Sequence, residues 1–482
     1  MLFYRKLEMP NYNNGLFIFT RDLRIQDNNG LKKAVEMCRN VYTVFFFTPE
    51  QVSSSNKFKS VNAIKFMIES LESLSKNIEK KGGKLITFYG KPDECLTTIL
   101  TQIDIDAVFI NKDVTKYSKT RMNEFNAVCK RHEKDIHEVE DFYLTEPGSI
   151  VNTSGSYYMK FTPYYDKITA LLRKGKISIP HPSTPNSLSR KLKSRNQKFG
   201  SKEITLDEAM RSFTKGSIRN VNILGGREQA IQKLRNIHTQ VPQYEATRND
   251  LHDRTTQLSA YIKFGNVSIR EVYYAFSSKL DNRSATSLIR QLFWRDFYAQ
   301  IMDNNPDVLF GPMRQQYGKI KWSNSKRLLD AWEKGRTGFP IVDAGMRELL
   351  ASGYMHNRAR LICGSFLPKT LLINWQKGEA HFARNLIDYD PASNNGNWQW
   401  VAGTGSDSQP YFRILNPFRQ SKKYDPEALY IKRWVPELQG VSVSDIHNWD
   451  EVSKDYPEIK YPSPIVDFSE QKEKVLKAYS SV

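Results

Sequence analysis

Paired cysteines and long apolar runs are both missing from this sequence of 482 residues. The cysteines form no C-x-x-C pair, which argues against a disulfide scaffold, a zinc site and an iron–sulfur cluster; they are Cys38, Cys95, Cys129 and Cys363. No run approaches the roughly 18 consecutive apolar residues that a membrane helix requires. The opening stretch MLFYRKLEMPNYNNG also lacks the apolar core of a signal peptide. We therefore expect a soluble, intracellular protein.

Acidic side chains are fewer than basic ones in this sequence. Lys and Arg number 71 against 52 Asp and Glu, a net charge of +19 at pH 7. This excess predicts a polyanionic partner, either nucleic acid or an anionic membrane surface, although a basic chain with solvated lysines is the simpler alternative. The basic run SRKLKSRNQK (189–198) fits a nuclear address or a linker, so cytoplasm and nucleus both stay open.

Four short apolar runs alternate with helical patterns in the first part of the chain. The runs lie at 16–20, 41–49, 84–90 and 107–113, and the clearest helical pattern lies at 63–82. This β-α-β-α order predicts a parallel, Rossmann-like sheet with helices on both faces. No G-x-G-x-x-G follows the first run, so a dinucleotide site of the usual kind is not supported.

Strand patterns are absent from the second half. Helical patterns lie there instead, at 267–278, 284–303, 326–334, 341–353, 358–374 and 377–387. We therefore predict an α/β domain over 14–140, a linker ordered only in part over 141–224, and an all-α domain over 225–482. All eight tryptophans follow residue 290, which fits either a helical core or stacking on a flat ligand or base.

The stretch LIDYDPASNNGNWQW (386–400) carries two carboxylates, Asp388 and Asp390. One could pair with an arginine of RARL (358–361) while the other accepts hydrogen bonds from a ligand; a salt bridge without a ligand is the alternative. A metal is disfavoured because a hard cation usually takes more carboxylates, and no histidine cluster accompanies them. The last seven residues, NNGNWQW (394–400), suit neither a plain helix, in which Asn and Gly are poor formers, nor an ordinary turn.

Three further segments predict a binding pocket. In TTQLSAYIKFG (255–265) the hydroxyl groups of Thr255, Thr256 and Ser259 precede a helix, which they could cap or at whose positive end they could bind a phosphate. In MHNRARL (355–361) and QLFWRDFY (291–298), residues three or four apart place amide, guanidinium and indole groups on one helical face. Such faces are too polar for a simple core.

These segments, in this order, resemble the photolyase/cryptochrome family, and most closely its class I cyclobutane pyrimidine dimer photolyases. The resemblance is also carried by FTRDLRIQDNNGL (19–31), TGFPIVDAGMREL (337–349) and YFRILNPFRQSKKYDPEALYIKRWVPEL (411–438). It implies that the all-α domain binds FAD and that the protein is a carbon–carbon lyase which uses light to split pyrimidine dimers. It further implies a monomer that flips the lesion out of UV-damaged DNA, with no metal and no membrane partner.

The resemblance also implies which residues hold the cofactor. Asn394 matches the residue that faces the flavin N5, where a neutral amide carbonyl can accept a hydrogen bond from the protonated nitrogen. Arg360 and Asp388 match a buried ion pair. The implied FAD contacts are Tyr244, Thr255, Thr256, Leu258, Ser259, Gln291, Arg295, Asn357, Arg360, Asp388, Asp390 and Asn394.

Three tryptophans match the family's route for light-driven reduction of the flavin. They are Trp398, which would be nearest the flavin, then Trp375 and Trp322. Each also fits a plain core position. Implied contacts with the lesion or the DNA are Arg248, Gln291, Trp294, Asn357, Arg358, Leu361, Trp400 and Arg419, with Lys422 and Lys423 as further phosphate contacts.

Two positions depart from the dimer-repair branch. Gln291 stands where that branch usually has a glutamate, and Leu361 where it has a methionine. Glutamine is commoner there in six-four photolyases and animal cryptochromes, but the six-four branch carries histidines at the positions of Asn357 and Leu361. We therefore expect weakened dimer repair, with a cryptochrome-like photoreceptor or a six-four photolyase as alternatives.

A second, light-harvesting chromophore is left open by the sequence. Relatives use a folate, a deazaflavin or none, and Asn111 and Asp113 lie near the place where some of them bind a folate.

Overall fold

A five-stranded parallel sheet forms the first part of the molecule. The computed structural model describes residues 11–194, 199–216, 223–253 and 255–482. Every neighbouring pair of strands is parallel, which confirms the predicted sheet. The strands are β1 (Tyr12–Phe19), β2 (Cys38–Phe47), β3 (Leu85–Tyr89), β4 (Ala107–Asn111) and β5 (Asp135–Val139), in the order β3-β2-β1-β4-β5.

The fifth strand was not predicted. It reads DIHEV, and its residues are exposed or half-buried at the edge of the sheet. Such a strand carries little of the apolar pattern from which strands are recognised. It forms because it pairs with β4 over residues 135–139.

Both faces of the sheet are buried. Phe17 and Phe19 of β1 belong to one core cluster, which extends into the helical half, whereas Leu16 and Ile18 belong to a second cluster on the other face. This alternation is expected of a parallel sheet that is covered on both sides. The covering helices are Asn29–Met37, Pro49–Val52, Val61–Glu79, Pro92–Gln102 and Lys116–Arg131.

After β5, the described residues form helices and isolated bridges but no further strand. Each of the six predicted helical segments coincides with a helix, and none of the described helices is long and apolar enough to span a bilayer. The longer helices are Phe161–Arg173, Leu206–Phe213, Arg227–Arg235, Ile269–Lys279, Asn282–Asn304, Lys326–Glu333, Pro340–Ser352, Asn357–Lys369, Trp375–Asn385, Pro391–Ala402, Pro417–Tyr424, Leu429–Trp434 and Phe468–Ser480.

The predicted linker contains regular structure. Helices Phe161–Arg173 and Leu206–Phe213 lie within it, the second with a capping box formed by Thr205 and Glu208. Residues 195–198 and 217–222, which include the end of the basic run, lie outside the described residues. The domain boundaries at 140 and 224 stay a prediction.

A buried charge network joins the loop after β1 to the helical half. Arg24 Nη2 donates to Asp141 Oδ2 at 2.6 Å, while Arg270 donates to Asp141 Oδ1 and to Asp27 Oδ2 at 2.8 Å each. No side chain of the four is more than 5% exposed. Because every charge has a charged partner, this junction network can be buried and can hold helix Ile269–Lys279 against the sheet.

Candidate active site

A cleft opens among the helices of the second half. Its walls mix charged, amide and aromatic groups, which is the composition of a small-molecule site. Seven predicted site residues line it: Asn357, Arg360, Leu361, Asp388, Asp390, Asn394 and Trp398. The other lining residues are Gly364, Phe382, Leu386, Tyr389, Ser393, Asn397 and Val401.

Asp388 is held by two side chains. Arg360 donates to its two oxygens at 3.2 and 2.9 Å, and Ser259 Oγ donates to Oδ2 at 2.7 Å. The carboxylate is 4% exposed, whereas the Arg360 side chain is 24% exposed toward the cleft. The pair therefore keeps one side open to a ligand.

Asp390 faces the sheet as well as the cleft. Arg21, from the loop after β1, donates to its Oδ2 at 2.7 Å, and the Ser393 N–H donates to its Oδ1 at 2.9 Å. Burial alone would raise the pKa of Asp390, but the guanidinium groups of Arg21 and Arg295 and the Ser393 N–H outweigh it and lower the pKa to about 2. This carboxylate is thus partly used in joining the two halves of the molecule.

The stretch NNGNWQW is helical, so the expectation that it suits neither helix nor turn was wrong. Asp390 caps helix Pro391–Ala402, Pro391 occupies its first turn, and Gly403 ends it in the left-handed region at φ 82°. These end signals outweigh the poor helix propensity of Asn and Gly.

Gly396, inside that stretch, leaves room for a side chain of a neighbouring helix. A Cβ there would lie 2.1 Å from the Tyr298 ring, on helix Asn282–Asn304. The glycine lets the two helices approach closely, so glycine is required here by packing between helices and not by the backbone conformation.

Asn394 is oriented by a backbone contact. Its Nδ2 donates to the Glu379 carbonyl oxygen at 3.3 Å. With the amide nitrogen engaged, its Oδ1 is the group left for a ligand in the cleft, since no described residue donates to it. This is the orientation that a neutral hydrogen-bond acceptor would need.

The hydroxyl-rich segment does not cap its helix as predicted. Helix Ser259–Lys263 has no side-chain cap, because its N-cap residue is Leu258, whose side chain carries no acceptor, and Ser259 Oγ donates to Asp388 instead. Thr256 Oγ1 accepts from the Leu258 N–H at 3.4 Å, and Thr255 Oγ1 lies 3.4 Å from the Tyr354 hydroxyl. The segment is linked to the cleft through Ser259.

Seven predicted cofactor residues do not line the cleft. Four of them belong to the hydroxyl-rich segment, namely Thr255, Thr256, Leu258 and Ser259, and the other three are Tyr244, Gln291 and Arg295. Tyr244 lies on the short helix Tyr244–Thr247, and Gln291 is exposed. Arg295 donates to the Phe142 carbonyl oxygen and lies 4.6 Å over the Tyr143 ring. The structure brings these residues to neighbouring surfaces and not to the cavity itself.

Of the predicted lesion contacts, Asn357 and Leu361 line the cleft, whereas Trp294 and Trp400 do not. Trp294 is stacked against Phe161 at 3.7 Å, so one face of this indole is already covered. Trp400 lines a neighbouring cavity with Tyr298 and Met302.

Two of the basic residues predicted to contact DNA, Arg358 and Arg248, have protein partners of their own. Arg358 donates to Asn249 and lies 4.3 Å over the Tyr424 ring, and Arg248 pairs with Glu245 at 3.3 Å. Arg419 is exposed near the start of helix Pro417–Tyr424, with Lys422 and Lys423 on the same helix.

The three tryptophans of the predicted electron route differ in exposure. Trp398 and Trp375 are 3% and 2% exposed, whereas Trp322 is half-buried. Trp398 contacts the rings of Phe382 at 4.9 Å and Trp332 at 6.1 Å. Trp398 also lines the cleft, and the sequence of transfer through Trp375 and Trp322 stays a prediction.

Asn111 and Asp113, expected near an antenna chromophore, are engaged in protein contacts. Asn111 Nδ2 donates to Asp22 and Asn28, and its Oδ1 accepts from the Gly30 N–H. Asp113 pairs with Arg21 at 3.2 Å.

The prediction from sequence missed Arg21, Glu379 and Tyr389 as residues of this region. Arg21 lies in a segment that carried the family resemblance, but it meets Asp390 across 369 residues of chain. Tyr389 stands between the two predicted carboxylates and lines the cleft. Glu379 gave no signal, because an isolated glutamate in an amphipathic helix is normally a solvated residue.

Comparison with known proteins shows the family of this chain. The family model described as DNA photolyase matches residues 16–185, and the one described as the FAD binding domain of DNA photolyase matches residues 288–481. The deoxyribodipyrimidine photo-lyase of Alkalihalophilus pseudofirmus is 35% identical over 473 residues, 95% of this chain and 96% of the relative.

Two solved structures have the same fold. The archaeal photolyase from Sulfolobus tokodaii, described with two FAD molecules, superposes with a TM-score of 0.85 at 35% identity, covering 97% of this chain and all of that one. A cryptochrome from Synechocystis gives a TM-score of 0.85 at 26% identity, covering 98% of this chain and all of that one.

The fold and the cleft define a flavoprotein, with a parallel α/β part and a helical FAD-binding domain. The chain belongs to the DNA photolyase family.

Proposed function

We propose that this protein is a light-driven photolyase that splits cyclobutane pyrimidine dimers in UV-damaged DNA. The observation that carries the proposal is the donor set of the cleft. The Arg360–Asp388 pair is buried on one side and open on the other, and the Asn394 carbonyl is left free beside it.

The residues of the cleft fit FAD. Arg360 and Asn357 can donate to carbonyl oxygens of the flavin ring, Asp388 can accept from its N–H groups, and Asn394 can accept from N5. When bound and fully reduced, FAD supplies the light-excited electron that opens the cyclobutane ring and is then returned, so the reaction needs no metal.

We assign DNA binding to the net positive charge and to basic residues near the predicted lesion contacts. The net charge of +19 supplies sequence-independent attraction for phosphates. Asn357 and Leu361 would contact a flipped-out dimer at the cleft, with Trp294 and Trp400 as apolar walls and Gln291 as a neutral hydrogen-bonding group. Arg248, Arg358 and Arg419 would hold the backbone, and the protein would act as a monomer.

The deciding experiment is illumination of the reduced protein with DNA that contains cyclobutane dimers, with DNA that contains six-four lesions in parallel. Light-dependent loss of the cyclobutane dimers alone is expected. A matched control is Trp400→Ala, which should weaken lesion binding and leave flavin binding intact. Loss of neither lesion would refute repair, and loss of six-four lesions alone would move the protein to that branch.

A cryptochrome-like photoreceptor is the second candidate, because the Synechocystis cryptochrome shares this fold over nearly the whole chain. A photoreceptor of that kind would bind FAD and respond to light without removing dimers. The same illumination assay separates the two functions.

Asn394→Asp tests the proposed contact with N5. An acidic group there replaces a neutral acceptor, so the reduction potential of the bound flavin should shift. A potential equal to that of the wild type would place Asn394 elsewhere.

An antenna chromophore remains part of the proposal only as a class. The Sulfolobus tokodaii photolyase is described with a second FAD as its light-harvesting cofactor, so a second flavin joins folate and deazaflavin as a candidate. Absorbance spectra of the purified protein after release of its chromophores would distinguish the three.

A further inference from the structure

Glu379 is a buried carboxyl group that no cation neutralises within the part of the chain that the structure describes. It lies on helix Trp375–Asn385 and is 3% exposed. Its Oε1 accepts from Asn395 Nδ2 at 3.0 Å. Among the described residues, no Lys, Arg or His forms an ion pair with it, which is unusual for a buried acid.

The elements packed around Glu379 supply amides and one phenol. Helix Pro391–Ala402 contributes Asn395, whose Oδ1 in turn accepts from Gln399 Nε2 at 3.1 Å. The segment before that helix contributes Tyr389, whose pKa is raised by burial and then by Glu379. Helices Val61–Glu79 and Asn357–Lys369 bring no charge that acts on the carboxyl in the described part of the chain.

This environment places the titration of Glu379 near neutrality. Burial raises its pKa to about 7, and the hydrogen bond from Asn395 only partly offsets that rise. The protonated and ionised forms are therefore both accessible close to physiological pH.

Glu379 is also adjacent to the cleft. Its backbone oxygen accepts from Asn394, the residue proposed to face N5, and Tyr389, whose pKa Glu379 raises, lines the cavity. A negative charge placed in the cleft would act on this carboxyl through a poorly polarisable interior and would favour its protonated form.

We propose that Glu379 takes up a proton when the cleft gains negative charge, so that it couples reduction of the bound flavin to a second proton. The inference rests on the proposed function for the presence of FAD. Oxidised flavin takes two electrons from an external reductant and one proton to become the reduced anion. The Glu379 carboxylate takes one further proton from solvent, giving two electrons and two protons in all.

The coupling has a defined sign. Below the pKa of Glu379 in the oxidised protein the acid is already protonated, and reduction consumes one proton. Above that pKa and below the higher pKa of the reduced protein, reduction consumes two protons. Since a tenfold change in a two-electron equilibrium is about 30 mV, the potential should fall by about 30 mV per pH unit in the first range and by about 60 mV in the second.

A spectroelectrochemical titration of the flavin-loaded protein between pH 6 and pH 9 tests this coupling. In the wild type, the reduction potential should fall more steeply with pH above neutrality than below it. In Glu379→Gln, which keeps an oxygen acceptor for Asn395, the potential should follow the shallower slope throughout. The control is Glu69→Gln, which removes a carboxyl on helix Val61–Glu79 that accepts from the Gly225 N–H at 2.7 Å. It should behave as the wild type.

A second readout is the infrared band of a protonated carboxyl, which should grow on reduction at pH 8 in the wild type and not in Glu379→Gln. If Glu379→Gln does not fold, the wild-type band and slope still decide. The inference is overturned if the slope of potential against pH stays shallow in the wild type. It is also overturned if the slope above neutrality is as steep in Glu379→Gln as in the wild type. A wild type that binds no flavin overturns the proposed function, and this inference with it.

Discussion

One cluster of arginines and carboxylates lies where the sheet meets the helical half and another lies in the cleft, and the two clusters use their charges differently. In the junction network all four side chains are at most 5% exposed and every charge is paired. In the cleft, Asp388 is equally buried, but its partner Arg360 is 24% exposed beside an open cavity. A sealed cluster can only hold the structure together, whereas a cluster with one open side retains hydrogen-bonding capacity for a ligand.

Arg270→Met should have the largest effect on stability. It leaves the Asp27 carboxylate buried without its charged partner and removes one partner of Asp141. A loss of about 3–5 kcal/mol in the free energy of unfolding is expected, measured by urea denaturation. The control is Lys474→Met, which breaks an exposed pair with Glu470 and should change stability by less than about 0.5 kcal/mol. Equal effects of the two changes would contradict the comparison.

Asp388→Asn should act on the ligand more than on the fold. Removing the charge weakens the hydrogen bond that Asp388 is proposed to accept from the flavin, and a hydrogen bond to a charged group contributes about 1.5–3 kcal/mol, which corresponds to a loss of flavin affinity of about 10-fold or more. The measurement is the quenching of flavin fluorescence on titration with apoprotein. A variant that binds flavin as the wild type does, but unfolds more easily, would place Asp388 with the sealed cluster.

Asp390 should show an intermediate effect, visible in the pH dependence of stability. Its folded pKa of about 2 lies below the ordinary value of 3.8, so it stabilises the fold above that ordinary value and the gain is lost as the pH falls through about 2. The gain is about 2 kcal/mol. In Asp390→Asn the loss of stability between pH 5 and pH 3 should be shallower than in the wild type. Parallel urea-midpoint curves for the two proteins would show that Asp390 contributes nothing.

Trp322→Phe should have the smallest effect on the fold, because Trp322 is half-buried. If it is the outer end of the electron route, photoreduction of oxidised flavin should slow several-fold while repair by pre-reduced protein is unchanged. Flavin absorbance under continuous light measures the first, and dimer loss measures the second. Trp434→Phe, another half-buried tryptophan, is the control. Loss of both activities in Trp322→Phe would mean that the indole serves packing.

The sheet and helices were largely predictable, because local apolar periodicity records which face of an element is buried. Four strands and six helical segments were found from such patterns. β5 escaped because its charged residues lie at a sheet edge. The helix across NNGNWQW escaped because Asn and Gly disfavour helices locally, while the cap of Asp390 and the stop at Gly403 act from its ends.

The candidate site was predictable in its residues and not in its contacts. Asp388, Arg360 and Asn394 were all named from a resemblance, and all three line the cleft. The partner of Asp390 was not foreseen, because Arg21 lies in the loop after β1, 369 residues away along the chain. Tyr244, Gln291 and Arg295 carry the same resemblance but lie outside the cavity. A motif therefore predicts that a residue belongs to the region of the site better than it predicts that the side chain lines the cavity.

The sequence by itself determined the element order, the basic charge and the family, because these depend on composition, periodicity and short motifs. Tertiary structure alone decided which carboxylates are sealed and which face a cavity. It also decided that Glu379, an ordinary glutamate in the sequence, becomes a buried acid with a pKa near 7. The physical reason is that burial and pairing depend on residues brought together from distant parts of the chain, and these set the electrostatic free energy of each group.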